Sequence, residues 1–453
     1  MATDKWIFIQ DGKKIQDNVL IEDKQLKEHL ISHGALRISL SKNLSASFVG
    51  FAFWKSSFVL FLPKCFPIPS NGYVSGCASA ARLILRVLRK YSHDAFTREP
   101  DAQRLSKSLT DPNTSSFALA TWLIDDFSKH GLYCRTRNKF LLSENGIIDW
   151  HRTISQRTAY ISQENTLYFD CITRNKVRDD SHFVTRLHLA TLKLCLRRYG
   201  VILNLDAQML KIEGIVPLDE GDLFEFGPIY LAKELRHAYS DRSMQLIQML
   251  IIFLKDDHPG SARTFEIYGT SYFNLVWEEI CASIIGNDME DWSKTIPNPI
   301  WHSISGDLKE SSTIRPDIVK EYQLEDGAKA VLLADAKYYS LIMPPGLSDN
   351  PGIADVIKQL VYELTIREEV NKKSLLFRGN FFIFPHEHQS DLFSIVGTVN
   401  YEGIPNSGPI KVGYMDITKA MNLYTSGKRL TEKEMEIMFQ KTETISKIMP
   451  TEE

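Results

Sequence analysis

Residues 315–339 read RPDIVKEYQLEDGAKAVLLADAKYY, two strand-like runs on either side of Asp326-Gly327. An Asp-Gly pair between such runs is a strong hairpin signal. A two-residue turn centred between Asp326 and Gly327 puts position 317 opposite 336, making Asp317 a cross-strand neighbour of Asp335-Ala336-Lys337. Side chains alternate along a strand, so Asp335 and Lys337 share a face with Val331 and Leu333, the face the apolar pattern assigns to the interior. Two carboxylates and an ammonium at the end of a buried face need one another, a metal ion or water. Carboxylates with a backbone carbonyl between them are the hard oxygen donors that magnesium takes. A metal held there would polarise a phosphate and acidify a bound water, with a lysine offsetting charge on the phosphate. The plainer alternative is a surface hairpin carrying a weak ion pair.

Outward from the hairpin the C-terminal part alternates helix and strand. SYFNLVWEEICASII (271–285) and GIADVIKQLVYELTIREEV (352–370) have helical periodicity, and LFRGNFFIFP (376–385) and FSIVGTVNY (393–401) look like strands. TEKEMEIMFQKTETISKIM (431–449) predicts a terminal helix, with Thr431 and Glu434 in capping-box spacing. HPGSAR (258–263) marks the linker before this part. The chain upstream divides again. SASFVGFAFWKSSFVLFLPKCF (45–66) predicts an aromatic hairpin, and 110–255 is mostly helical, with HFVTRLHLATLKLCLRRYG (182–200) closing at Gly200 as a C-cap. The expected organisation is a multidomain α+β/α/β chain. A β-rich domain spans 1–70, a mostly helical partner- or DNA-contacting region 71–257, an α/β domain 264–425 and a C-terminal helix 426–453.

Composition excludes several classes. With 43% hydrophobic and 24% charged residues the chain is that of a soluble globular protein, and 453 residues predict two or three domains. A net charge of −3 gives no global basic excess, so any nucleic-acid affinity must be gathered locally or on a partner. Cys65, Cys77, Cys134, Cys171, Cys195 and Cys281 are scattered, without zinc-ribbon or disulfide spacing. The apolar run MQLIQMLIIFL (244–254) is too short to span a bilayer, and the start has no secretory h-region, so a reduced cytoplasmic setting is expected. No GxxxxGK[ST] loop, GxSxG or HExxH is present.

Other side chains have two readings each. Arg82, Arg86, Arg89 and Lys90 form a helical basic stripe, either a solvated face or a contact for DNA backbone or an acidic partner. Trp150, His151 and Arg152 sit in a loop that either stacks on nucleic acid or anchors a connector. His386, Glu387 and His388 lack the helical zinc spacing, which favours a solvated loop.

The order and spacing of FEIYGTSYFNLVWEEIC, PDIV…LLADAKYY, PGIADVIKQLVYEL and GNFFIFP resemble the LlaJI-type restriction endonucleases, themselves similar to the McrC nuclease subunit of McrBC-type systems. SFVGFAFWKSSFVLFLPKCF and NGIIDWHRTI add to the resemblance, which is weakest over 86–140 and 200–260. It implies a PD-(D/E)xK restriction-endonuclease-like core at 264–425, with Asp317 and Asp335 as metal ligands and Lys337 as the catalytic lysine. The preceding helix would supply a further acidic metal ligand, Glu278 by position, with adjacent Glu279 the alternative. Gln359 and Tyr362 resemble a QxxxY element one residue short, bracing the site or touching a DNA phosphate. The resemblance further implies Mg2+, with Mn2+ as a substitute, cleavage of double-stranded DNA, and an McrB-like AAA+ GTPase partner. The rivals are a non-catalytic adaptor of such an NTPase and a stand-alone sequence-specific enzyme. The N-terminal 260 residues hold no plausible metal set, so they are expected to serve partner docking or DNA guidance rather than catalysis.

Overall fold

A computed structural model describes residues 5–440 apart from short internal stretches, among them 16–22, 69–73, 257–264, 294–299, 311–314 and 345–350. The 258–263 linker and residues 441–453 therefore lie outside the described residues. The chain is mixed α/β and forms two compact units that do not follow chain order. Ser108–Thr264 makes one; Asp4–Lys107 and Phe265–Glu453 together make the other.

Among the described residues the discontinuous unit holds two larger sheets and two small pairs, Leu36–Ile38 with Leu44–Ala46 and Ile300–His302 with Leu308–Glu310. In the first, Lys5–Gln10, Ser57–Leu62, Val49–Trp54 and Phe265–Thr270 lie side by side, the first pair parallel and the others antiparallel. The aromatic hairpin thus forms, but its outer neighbour comes from the far side of the linker. The divisions drawn at 70 and 264 consequently cut through one sheet. Gly50 faces Gly269 across that joint, and a Cβ on Gly50 would stand 2.1 Å from the Tyr268 carbonyl oxygen, so the strands meet only because neither carries a side chain. Leu26 and Leu30 of helix Lys24–Ser32 close the core over Ile9, Ala52, Trp54 and Phe61.

The second sheet has the order Ile318–Gln323, Lys329–Ala336, Leu376–His386, Ile410–Asp416, Phe393–Val399. Its outer pairs are antiparallel and its inner pairs parallel. Helix Ile353–Lys372 is the crossover that parallel neighbours require. Lys329–Ala336 is buried at every residue after Lys329, as a central strand covered on both faces should be. Val319, Val331, Leu333, Tyr362 and Ile366 pack on the crossover side. Thr431 and Glu434 form the expected capping box, Thr431 N–H donating to Glu434 Oε2 at 2.8 Å.

The other unit packs helices Ser116–His130, Phe183–Leu203, Glu220–Leu235 and Asp241–Asp256 together. Between the first two, the chain runs out into a three-stranded antiparallel sheet of Thr136–Leu142, Ile172–Arg178 and Ile147–Ile148. Helix Phe183–Leu203 continues past Gly200, and Asn204 in the left-handed conformation ends it. Gly200 instead leaves room for the returning chain, whose Leu205 N–H donates to its carbonyl at 2.9 Å.

Candidate active site

The hairpin register differs from the expected one by a single residue. Ile318 pairs with Ala334 and Gln323 with Lys329, so position 317 lies across from 335. The cause is the turn. Gly327 N–H returns to the Leu324 carbonyl at 2.9 Å, Leu324 N–H donates to the Ala328 carbonyl at 2.8 Å, and Gly327 takes φ +85°. This is a three-residue loop over Glu325-Asp326-Gly327 with glycine in the left-handed position, not a two-residue turn. The shift brings Asp317 nearer to Asp335.

Three elements place the charged groups. Asp317 precedes its strand and reaches across to accept the Ala336 N–H at 3.0 Å. Asn287, just after helix Phe273–Ile285, donates to the Asp317 carbonyl at 2.7 Å and so fixes where the strand begins. Asp335 is 3% exposed. Lys337 extends the ladder through its N–H to the Ile383 carbonyl and turns its ammonium to Asp335 at 2.7 Å and Asp355 at 3.1 Å. Asp355 lies in the first turn of the crossover helix. Sequence reasoning missed both Asn287 and Asp355, which look like ordinary helix-end polar residues.

The two glutamates part company. Glu279 pairs with Arg98 at 3.2 Å, whereas Glu278 feels Asp335 and Lys337. Burial and the Asp335 charge push the Glu278 carboxyl up to about 6. Burial, the Asp335 charge and a hydrogen bond to Asp335 push Asp317 up to about 8. Burial opposes the charge on Lys337, but Asp335 and Asp355 outweigh it and raise its pKa. Negative charge is in excess here, and the site holds it by protonation or by binding a cation.

Gln359 and Tyr362 are buried, so neither meets a DNA phosphate from this position. Gln359 donates to Asn380 at 2.6 Å, and Asn380 to Glu363 at 2.9 Å, tying helix to sheet. The Tyr362 hydroxyl and Gln359 Oε1 are buried without a hydrogen-bond partner, and the tyrosine lies in the field of Asp335 and Asp317. Orphaned polar atoms beside an over-charged carboxylate pair fit a hydrated cation. Among the described residues, however, no three Asp, Glu, His or Cys side chains stand close enough to hold a metal as they are. Asp317 is hydrogen-bonded to Asp335, which draws the two carboxyls together.

The remaining candidates lie elsewhere. Trp150 and Arg152 are in the other unit and form the first turn of helix Trp150–Gln156, not a loop, because the Asp149 side chain accepts the Arg152 N–H at 3.0 Å. Arg152 stacks on Phe140, while Trp150 stays exposed. On helix Val74–Asp94 only Arg86 of the basic stripe is exposed; Arg82 and Arg89 are half-buried, and Lys90 donates to the Tyr424 carbonyl at 2.8 Å. His386 stacks on Tyr414, and His388 lies outside the described residues.

Residues 48–425 match the model of the LlaJI restriction endonuclease family. The chain belongs to that family. LlaJI-family membership bears out the resemblance read from the sequence and sets the protein in a restriction system. A relative, the type II restriction enzyme BsuMI component YdjA of Bacillus subtilis (strain 168), is 28% identical over 353 residues, covering 76% of this chain and 73% of its own. A solved half-complex of Thermococcus gammatolerans McrB AAA+ hexamers with bound McrC contains a chain that aligns with 93% of this one and 99% of itself. The TM-score is 0.34 and the identity 13%, a likeness too slight to build on. No helix among the described residues is long and apolar enough to cross a membrane.

Proposed function

We propose that this LlaJI-family protein is the metal-dependent DNA endonuclease subunit of its restriction system, with a PD-(D/E)xK-type site. The observation that carries this is the meeting of Asp317, Asp335, Lys337 and Glu278 at one buried, over-negative point. Two carboxylates beside a main-chain carbonyl are the hard oxygen donors a divalent cation takes. Magnesium, or manganese in its place, would rest on Asp317, Asp335 and the Ala336 carbonyl, with water completing its shell and Glu278 near that water. Bound there, the metal would polarise the scissile phosphate and acidify a water. Lys337, clamped by Asp335 and Asp355, keeps its charge and sets it against the charge developing on the phosphate. Glu278, ionised above about pH 6, accepts a proton.

The proposed partner is an McrB-like AAA+ GTPase. Support comes from the Bacillus subtilis relative, itself named as one component of a restriction enzyme, and from the exposed apolar surface on the 136–178 excursion. The setting is cytoplasmic, where the six free cysteines stay reduced. The test is DNA cleavage by the purified chain with magnesium, alone and with the product of a neighbouring P-loop gene. Magnesium-dependent cutting in either mixture is expected. Failure in both, with DNA bound and the chain folded, overturns the proposal in favour of a non-catalytic adaptor.

A further inference from the structure

A cleft of about 400 Å³ opens beside the site, lined by Glu278 and Lys337 and by Arg37 of strand Leu36–Ile38 and Lys64 of the turn after Ser57–Leu62. The contact that builds it is specific. Lys64 N–H donates to the Tyr338 hydroxyl at 2.8 Å and its ammonium to the Tyr338 carbonyl at 3.1 Å, and that ammonium lies over the rings of Tyr338 and Tyr339. Tyr338 follows Lys337 directly, so the N-terminal segment grips the end of the strand that carries the site lysine. Asp11, which lines the same cleft, is hydrogen-bonded to the Tyr338 hydroxyl. Arg37 and Lys64 both lie in the field of Asp11, whose carboxyl burial pushes up, and neither is within ion-pair distance of a carboxylate among the described residues. A DNA strand approaching four carboxylates meets a repulsive field, and two cations lining the cleft beside them offset it.

We propose that Arg37 and Lys64 hold a backbone phosphate of the DNA strand next to the one being cleaved, which makes the N-terminal segment part of the substrate-positioning surface. Helix Phe273–Ile285 adds a favourable dipole, since its first turn lines the same cleft and carries neither a side-chain cap nor an acidic residue. The proposal rests on the nuclease function above and gives a specific form to the expectation that the N-terminal half serves partner docking or DNA guidance rather than catalysis.

The test uses the full chain carrying Arg37→Gln with Lys64→Gln. The main-chain N–H to Tyr338 survives both changes. KM for DNA should rise about tenfold with kcat little changed, as for a lost contact made equally in ground and transition states. Affinity for a short duplex measured without metal should lose about 1–2 units of its logarithmic salt slope. The charge-keeping pair Arg37→Lys with Lys64→Arg should restore both. An unchanged KM and slope, or a charge-keeping pair that fails as badly as the glutamines, overturns the inference. A parent chain that cuts nothing yet shows the expected loss of duplex binding sinks the nuclease proposal and leaves the phosphate contact of Arg37 and Lys64 standing.

Discussion

Strand Lys329–Ala336 and the excursion over 136–178 break the same rule in opposite senses. Along the strand, Asp335 is buried amid Val331, Leu333 and Tyr362, with Asp317 and Lys337 against it. On the excursion, Ile147, Ile161 and Phe169 are 67%, 85% and 74% exposed, interleaved with Arg137, Lys139, Arg174 and Lys176. Buried charge costs several kcal/mol unless it is matched. Exposed apolar side chains in a contiguous patch mark a surface that something covers. On the function proposed above, the first violation serves chemistry and the second association. The backbone shows why each is tolerated: the strand is paired on both edges and covered on both faces, whereas the excursion is two small sheets whose strands are mostly exposed.

The sharpest way to break this contrast is Asp335→Ala. Cleavage should fall about a thousandfold. The melting temperature should hold or rise, because Asp317 and Glu278 lose a like-charged neighbour. Unchanged magnesium-dependent nicking would sink the site. Glu278→Gln comes next and should cost about a hundredfold in rate. Glu279→Gln should cost about fivefold at most, since it loses only an exposed ion pair with Arg98. A reversed ranking would move the upstream acid by one position.

A third prediction tests the helical unit that carries the excursion. His188 is buried, and its Nδ1 accepts the Tyr133 N–H at 3.0 Å, so protonation there breaks a bond as well as burying a charge. Burial holds its pKa down at about 4, against an ordinary 6.5. Between those values the unfolded chain binds the extra proton, so the stability is complete above about pH 6.5 and is lost as pH falls towards 4. The loss should reach roughly 3 kcal/mol, and His188→Gln should flatten the dependence when melting is followed against pH. A profile that the substitution leaves unaltered would place the acid sensitivity elsewhere. The smallest effect is expected on the excursion itself. Ile161→Ser and Phe169→Ser should each change stability by less than about 0.5 kcal/mol while weakening partner binding in a pull-down. A loss of several kcal/mol would show that these side chains are core and that the contrast is false.

The hairpin, both flanking helices and the pairing of Asp317 with Asp335 and Lys337 were legible because each follows from local periodicity and one turn. The register was misread by one residue because Asp-Gly serves both two- and three-residue loops, and only the hydrogen bonds of Leu324 decide between them. Strand Ile410–Asp416 escaped notice although it lies between two others, since the neighbours that bury it are brought together by topology and not by sequence proximity. The same holds for Asp355, which gains meaning only when the crossover returns it to Lys337. Nothing local announces that Phe265–Thr270 completes a sheet begun at Lys5.

That last joint sets a timetable. During synthesis, strand Val49–Trp54 emerges long before Phe265–Thr270, its neighbour across Gly50 and Gly269. At ordinary translation rates the wait is roughly 10–40 s. Through that interval an apolar strand edge stands open, and the helical unit is made and can fold in the gap. Asp317, Asp335, Lys337 and Asp355 emerge later still. A ribosome that stalls anywhere in the first two-thirds of the message therefore releases a chain without a complete carboxylate set and, on the proposed function, without the means to cut DNA.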